Sequence, residues 1–200
     1  MKKDALEIAK EVGITLKNLK TFAGHDGMLG INADICLHGK AFAHAYDDAH
    51  GGMMDIDALG GLDKVGENYA VSKELKRNRE IIEEVGLAIA KYPEHEVILG
   101  GKPYKTKEDL EGIVNALVDE METQKRLKRD QKKGILVKRP DGYGTIAWKA
   151  GTIDNMFKKY PGELNKKKIL DMVQKAYDEC KAKGEEVLNL EYLKSIGIKI

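Results

Sequence analysis

Serine and cysteine are both scarce in this chain of 200 residues, with two of each. Ser72 and Ser195 are the only serines, and this scarcity argues against a serine hydrolase. Cys36 and Cys180 are too few for a disulfide framework, which indicates a reducing, cytoplasmic setting. No apolar run approaches the ~20 residues of a membrane span, and the N-terminal residues lack the apolar segment of a signal peptide. We therefore expect a cytoplasmic protein that does not associate with a membrane.

Net charge is also nearly absent, but the charges are unevenly placed along the chain. The 34 Lys and Arg residues balance 33 Asp and Glu residues, for a formal charge of +1. Residues 124–139 carry eight basic residues against Asp130, a local +7. Residues 47–67 carry six acidic residues against Lys64, a local −5. Because the charges are separated in this way, a nucleic acid is still a candidate partner, although the net charge alone would argue against one.

Local patterns predict an α+β fold in which antiparallel β-hairpins pack against four or five helices. Runs of strands and runs of helices, without β-α-β alternation, favour this class over a doubly wound fold. Amphipathic periodicity or start and stop signals predict helices over residues 2–12, 71–91, 106–133 and 164–183, with a short helix after Thr152. Strand patterns cover residues 14–22, 96–99, 135–138 and 145–149.

The clearest hairpin signal lies between residues 31 and 46. Apolar and polar residues alternate over residues 31–37, and His38-Gly39 fits the centre of a tight turn. That turn pairs Ile35 with Phe42 across the hairpin. A slip of one residue would exchange the two faces. The face predicted to be buried consists of Ile31, Ile35, Leu37, Phe42 and Tyr46.

A single α+β domain over residues 1–200 is the predicted organisation, with one candidate subdivision. Residues 53–68 are acidic and glycine-rich, and they are predicted to form an irregular loop. This loop would join an N-terminal sheet over residues 1–52 to a helical part over residues 69–200, which contains a second hairpin.

Four of the five histidines lie between residues 25 and 50, in a segment that is also rich in aspartate. The candidate ligands of a divalent metal are His25, Asp26, Asp48 and His50, because imidazole nitrogen and carboxylate oxygen suit such ions. The alternative is a polar loop in which Asp47 and Asp48 hold backbone N–H groups. No helical H-x-x-x-H pattern fixes the donors, so the polar loop is favoured and no metal or cofactor is predicted.

A second candidate surface lies in the basic segment and the hairpin that follows it. Clustered cations suit phosphate contacts, and aromatic rings such as that of Trp148 can stack on bases. Part of the run has another explanation, since cations at a helix C-terminus interact favourably with the helix dipole. The residues predicted to bind nucleic acid or a negatively charged partner are Lys125, Arg126, Lys128, Arg129, Lys132, Lys133, Lys138, Arg139, Trp148 and Lys149.

The segment Lys20–Gly52 resembles part of small uncharacterised proteins from bacteriophages and other mobile elements of gut bacteria. The shared features are a glycine loop, an N-A-x-hydrophobic strand, a G-K hairpin turn and an aspartate pair followed by Gly-Gly. This resemblance carries no catalytic residue, and it implies an accessory gene of a mobile element, a class in which anti-CRISPR and other anti-defence proteins are common. The matched positions are Gly27, Asn32, Ala33, Gly39, Lys40, Asp47, Asp48, Gly51 and Gly52.

The leading hypothesis is a non-enzymatic protein that binds and inhibits a host defence nuclease in the bacterial cytoplasm, with an anti-CRISPR inhibitor as its sharpest form. Its partner would be the effector nuclease, a nucleic acid, or both. The first alternative is a stand-alone nucleic-acid-binding accessory protein. The second is a metal-dependent hydrolase or nuclease that uses the histidine and aspartate cluster at residues 25–50. The lack of an ordered catalytic motif favours the non-enzymatic hypotheses.

Overall fold

The chain folds as two compact units that divide between Met121 and Glu122. The structure is a computed structural model that describes residues 4–24, 28–65, 68–99, 102–140 and 142–200. Helices and antiparallel hairpins occur in both units, which confirms the predicted α+β class. The domain organisation inferred from the sequence stays a prediction.

The first unit is built on a four-stranded antiparallel sheet with the strand order β1-β2-β3-β4. Two further hairpins, β5-β6 and β7-β8, and the helices α1 and α2 belong to the same unit. Its elements are α1 (Ala5–Val12), β1 (Ile14–Ala23), β2 (Leu29–Leu37), β3 (Lys40–Asp47), β4 (Asp55–Ala58), β5 (Leu62–Val65), β6 (Asn68–Val71), α2 (Lys73–Ile89), β7 (His95–Leu99), β8 (Lys102–Thr106) and the first part of α3 (Leu110–Asp130).

Helix α3 is shorter at both ends than the predicted range 106–133. Residues 102–106 pair with residues 95–99 as β8, so the helix begins only at Leu110. The cap is Asp109 rather than Thr106, because the Asp109 carboxylate accepts the backbone N–H of Gly112 at 2.8 Å. At the other end, residues 131–133 form a turn and not a further helical turn.

Strands β2 and β3 form the predicted hairpin, but a β-bulge changes its register. Leu37 pairs with Lys40 as expected, whereas Ile35 pairs with Ala43 and not with Phe42. The shift falls between Ile35 and Cys36, where β3 contains one more residue than its partner. The predicted register is therefore correct at the turn and wrong beyond it.

The bulge also corrects the predicted faces of β3. Ala43 and Ala45 are fully buried, and they lie in one hydrophobic core with Val85 of α2. Tyr46, predicted to be buried, is 41% exposed and stacks on Phe22 with ring centroids 6.3 Å apart. Small side chains on the inner face of β3 allow α2 to pack against this strand.

Residues 53–68 do not form the irregular loop that was predicted. β4 pairs with β3 as an edge strand of the large sheet, and β5 pairs with β6. All four residues of β5 are exposed, so this strand has no buried face to produce a hydrophobic alternation in the sequence.

The second unit packs helices against the hairpin β9-β10. Its core includes Ile135 and Val137 of β9 together with Val173 and Tyr177 of α5. The described residues of both units contain six helices, one more than the predicted upper number, because the short helix α6 had no clear sequence signal. The elements after α3 are β9 (Gly134–Arg139), β10 (Gly142–Ala147), α4 (Ile153–Lys159), α5 (Glu163–Ala182) and α6 (Leu190–Ser195).

A single buried amide connects three parts of this unit. Asn189, which is 6% exposed, donates from Nδ2 to the carbonyl oxygens of Gln131 and Gly134 at 2.8 and 2.9 Å. Its Oδ1 accepts the backbone N–H of Leu136 at 3.0 Å. The side chain therefore ties the residue before α6 to the turn after α3 and to β9.

The observed register predicts losses of stability of different size at two positions of the hairpin. Ile35→Asp buries a charge without a partner, so it should lower the free energy of unfolding by several kcal/mol, roughly 3 or more. Tyr46→Asp lies on the exposed face and should cost only about 1 kcal/mol. Urea unfolding monitored by circular dichroism measures both. Equal losses for the two variants would contradict the bulged register.

The hydrogen bonds of Asn189 predict a loss of stability when this side chain is changed. Asn189→Asp replaces the Nδ2 donor with an oxygen that faces two carbonyl oxygens, so the loss of stability should be about 3 kcal/mol or more. Asn155→Asp, on the exposed side of α4 near its N-terminus, is the matched control and should change stability by less than about 0.5 kcal/mol. Thermal and urea unfolding of both variants measure the difference. Similar stability of the two variants would contradict the role assigned to Asn189.

Candidate nucleic-acid interface

The charges of the chain separate between its two units. Residues 122–200 contain 19 Lys and Arg against 11 Asp and Glu, a net charge of +8. Residues 1–121 contain 15 against 22, a net charge of −7. The second unit is therefore the part of the chain whose field attracts a polyanion.

The predicted binding residues all belong to the second unit, but they are not all helical. Because α3 ends at Asp130, the two lysines that follow lie in the turn before β9, which corrects the prediction that they extend the helix. The positions are Lys125, Arg126, Lys128 and Arg129 on α3, Lys132 and Lys133 in the turn, Lys138 and Arg139 at the end of β9, and Trp148 and Lys149 after β10.

Most of these cations have carboxylate partners, although residues 124–139 contain only one acidic residue, Asp130. At the end of β9, Lys138 Nζ lies 3.0 Å from Glu186, and Arg139 Nη1 lies 3.2 Å from Glu185. Backbone pairing places these acids, because the N–H of Lys138 donates to the carbonyl of Glu186 and Val137 bridges to Val187.

Two other lysines of the predicted set also form ion pairs. Lys125 Nζ lies 3.2 Å from Glu122 one helical turn earlier, and Lys132 Nζ lies 3.4 Å from Asp154 of α4. Both lysines are exposed, so each pair contributes little to stability while reducing the positive potential locally.

The densest contacts surround Asp130, whose carboxylate is 12% exposed at the end of α3. Arg129 Nε lies 2.9 Å and Lys133 Nζ 2.7 Å from Oδ1, and the hydroxyl of Tyr143 donates to Oδ2 at 2.8 Å. These donors, with Arg129 first, hold the pKa of Asp130 well below its usual range. Burial and the bond to Asp130 raise the pKa of Tyr143. The site is thus a fixed carboxylate that orients three neighbouring donors.

Three of the predicted cations have no salt-bridge partner within the part of the chain that the structure describes. They are Arg126, Lys128 and Lys149, and all three are exposed. The half-buried ring of Trp148 packs against the core of the second unit, and base stacking by this residue stays a prediction. The predicted surface therefore retains cations that can contact a phosphate, although fewer than the sequence suggested.

Five further lysines, which the sequence analysis missed, lie around the turn between α4 and α5. We call them the lysine corner: Lys158 and Lys159 at the end of α4, and Lys166, Lys167 and Lys168 in α5. All are exposed, and none forms a salt bridge to another described residue. These lysines lie on both sides of Pro161-Gly162 in the sequence, so they do not form one continuous basic run.

The second unit also contains an open cleft of about 630 Å³ beside Asp130, which we call the Asp130 cleft. One wall is the last two turns of α3, and the other is β10. Besides Gly142, the residues that line it are Thr123, Arg126, Arg129, Asp130, Tyr143 and Thr145.

The metal candidates are only partly described, since His25 and Asp26 lie outside the described residues. Asp48 and His50 interact locally, with His50 Nδ1 3.2 Å from Asp48 Oδ2. Asp47 and Asp48 accept the backbone N–H groups of Ala49 and His50 at 2.7 and 3.0 Å, which confirms the polar turn weighed as the alternative. Within the described ranges, no three His, Cys, Asp or Glu side chains are grouped to hold a metal ion.

The exposed face of the four-stranded sheet in the first unit carries three aspartates, and Lys17 and Lys20 of β1 lie on the same face. Asp55 and Asp57 alternate along β4, opposite Tyr46 and His44 of β3. On β2, Asp34 accepts Asn18 Nδ2 at 2.6 Å and lies 3.1 Å from His44 Nδ1. These contacts, with Asn18 first, lower the pKa of Asp34, so its carboxylate is ionised at neutral pH.

No family model, curated protein or solved structure matches this chain. None of the helices over the described ranges is both long enough and apolar enough to span a bilayer. The function of this chain must therefore be inferred from its charges and contacts.

The fixed carboxylate of Asp130 predicts a pH-dependent contribution to stability. Asp130→Asn should cost about 1–3 kcal/mol at pH 7, toward the lower value because Arg129 and Lys133 are exposed. Since the folded-state pKa is depressed, this contribution is present above the ordinary value of 3.8 and is lost as the pH falls below it. The difference in urea unfolding between wild type and variant should therefore narrow below about pH 4.

The matched control for this prediction is Asp171→Asn, which changes an exposed carboxylate of α5. It should alter stability by less than about 0.5 kcal/mol across the same pH range. A gap between wild type and Asp130→Asn that stayed constant from pH 7 to pH 2.5 would contradict the ion-pair assignment.

Proposed function

We propose that this chain is a non-enzymatic nucleic-acid-binding protein, and that it inhibits a host defence nuclease by contacting the nucleic acid on which that nuclease acts. The observation that carries the proposal is the net charge of +8 on residues 122–200. Nucleic-acid affinity comes largely from cations that neutralise phosphates and release counterions. An exposed basic unit of about 80 residues meets that requirement.

The cations without carboxylate partners support the same proposal. Arg126, Lys128 and Lys149 reach solvent from the predicted surface, and the lysine corner adds five more. A cation that is not already paired gains more from a phosphate than one held in an ion pair, because no existing contact is lost. These residues should therefore supply much of the general electrostatic attraction to a nucleic acid.

The nucleophilic side chains of the chain support a non-enzymatic protein. Cys36 and Cys180 are buried, and burial raises the pKa of both thiols, so neither is a ready thiolate. The hydroxyl of Ser72 caps α2 by accepting the N–H of Leu75, and Ser195 donates to the carbonyl of Tyr192. Each of these four side chains is therefore either buried or engaged in a local hydrogen bond.

The proposal that the target is a host defence nuclease, in the cytoplasm of a bacterial cell, rests on the resemblance of residues 20–52 to proteins of mobile elements. The aspartates on the exposed sheet face add a physical reason to expect contact with the nuclease itself. Nucleases bind nucleic acid in basic channels, and the carboxylates of Asp34, Asp55 and Asp57 would be attracted to such a channel.

Nucleic-acid binding can be tested with fluorescently labelled single- and double-stranded oligonucleotides. Wild-type protein should bind, and the logarithm of its affinity should fall linearly with the logarithm of salt, with a slope of about −0.7 to −0.9 per phosphate contact. The combined variant Arg126→Glu, Lys128→Glu, Lys149→Glu should weaken binding at least about tenfold. Fluorescence anisotropy measures both effects.

The matched control is the combined variant Lys76→Glu, Arg77→Glu, Arg79→Glu. It changes the net charge by the same amount on exposed positions of α2 in the acidic unit, and it should leave affinity within about threefold of wild type. Absence of wild-type binding at low salt would refute nucleic-acid binding. A cleavage assay with a CRISPR effector nuclease tests the inhibitory part, and undiminished cleavage with excess protein would argue against that target.

A further inference from the structure

We propose that the Asp130 cleft is a phosphate site in which two arginines bind one backbone phosphate of a nucleic acid. The site is assigned from the contacts within the second unit, and its ligand class rests on the proposed function. If the site is correct, binding of a nucleic acid depends on the shape of two guanidinium groups and not only on total positive charge.

The cleft walls place their polar side chains by the regular periods of helix and strand. Thr123, Arg126 and Arg129 follow one another at a spacing of three along α3, so they lie on one side of the helix. Tyr143 and Thr145 are alternate residues of β10 and share one face of that strand. All five line the same cleft, so two arginines and two threonines border one space.

Asp130 orients one of the two arginines. Arg129 directs Nε and Nη2 to the carboxylate at 2.9 and 3.4 Å. A guanidinium has five N–H donors, so three remain for a ligand. The carboxylate is itself held by Lys133 and Tyr143, so it gives the exposed side chain of Arg129 a preferred orientation, which lowers the entropic cost of binding.

The charges around the cleft favour an anion even with Asp130 present. Arg126, Arg129 and Lys133 bring three positive charges to one negative charge, which leaves a local excess of two. Arg126 has no salt-bridge partner among the described residues, and its guanidinium can bind two oxygens of one phosphate. Thr123 and Thr145 supply hydroxyl donors of the kind that complete phosphate contacts.

The lysine corner is a different kind of surface and provides the comparison. Its lysines are exposed and have no carboxylate that orients them. A lysine ammonium acts as a flexible point charge, whereas an arginine presents a planar fork. The corner should therefore contribute diffuse attraction, and the cleft should contribute the contact with defined geometry.

The decisive variant is Arg126→Lys, which keeps the charge and removes the fork. If the cleft binds a phosphate as proposed, this variant should bind a single-stranded oligonucleotide at least about tenfold more weakly than wild type. The matched control Lys181→Arg, at an exposed position of α5 outside both surfaces, should bind within about twofold of wild type. Equal affinity of Arg126→Lys and wild type would overturn the assignment.

A second measurement tests the site without nucleic acid. Titration with inorganic phosphate, followed by nuclear magnetic resonance, should shift the side-chain Nε–H signals of Arg126 and Arg129 and the amide signals of Tyr143 and Thr145. In Asp130→Asn the Nε–H signal of Arg129 should move before any phosphate is added, and the phosphate response of both arginines should weaken. Shifts confined to the lysine corner would refute the cleft as the phosphate site.

The two experiments separate the failure of the site from the failure of the proposed function. If oligonucleotides bind wild type and Arg126→Lys equally, nucleic-acid binding stands and the cleft assignment is wrong. If phosphate shifts the cleft signals but no oligonucleotide binds, the cleft is a phosphate site and the proposed function is wrong.

Discussion

The buried carboxylate of Asp130 holds Arg129, Lys133 and Tyr143 together, and the basic surface of the second unit depends on this contact. A carboxylate at a helix C-terminus faces the negative end of the helix dipole, so its charge requires compensation. The two cations supply it, and in return the carboxylate relieves the repulsion between them. One buried acid therefore allows a dense group of cations to persist at the end of α3, and it orients the guanidinium of Arg129.

Opposite net charges on the two units allow one chain to attract both negatively and positively charged surfaces. The second unit has the excess of cations that phosphate contacts require, and the lysine corner lies in it outside the predicted run. The first unit presents aspartates on an open sheet face. Under the proposed function, the first property would attract the nucleic acid and the second would attract the basic channel of the nuclease.

The elements with a clear local period were predictable from the sequence, and contacts between distant residues were not. The stripe of Val85 and Ile89 predicted α2, and His38-Gly39 predicted the hairpin turn. The bulge beyond Ile35 adds one unpaired residue to β3, and no local pattern of the sequence marks that extra residue. The partners of Lys138 and Arg139 lie about 46 residues further along the chain, so a count over a short basic run could not include Glu185 and Glu186.

The two outer strands of the four-stranded sheet have a consequence for solubility. Unpaired edge strands are templates for aggregation, and natural sheets protect them with short strands, charges and bulges. β4 is four residues long and carries Asp55 and Asp57, whereas β1 has an irregular register between Lys17 and Lys20 with Asn18 in the left-handed region at φ 53°. Each edge is therefore a poor template for another strand, and removing both aspartates would expose the sheet to edge-to-edge association.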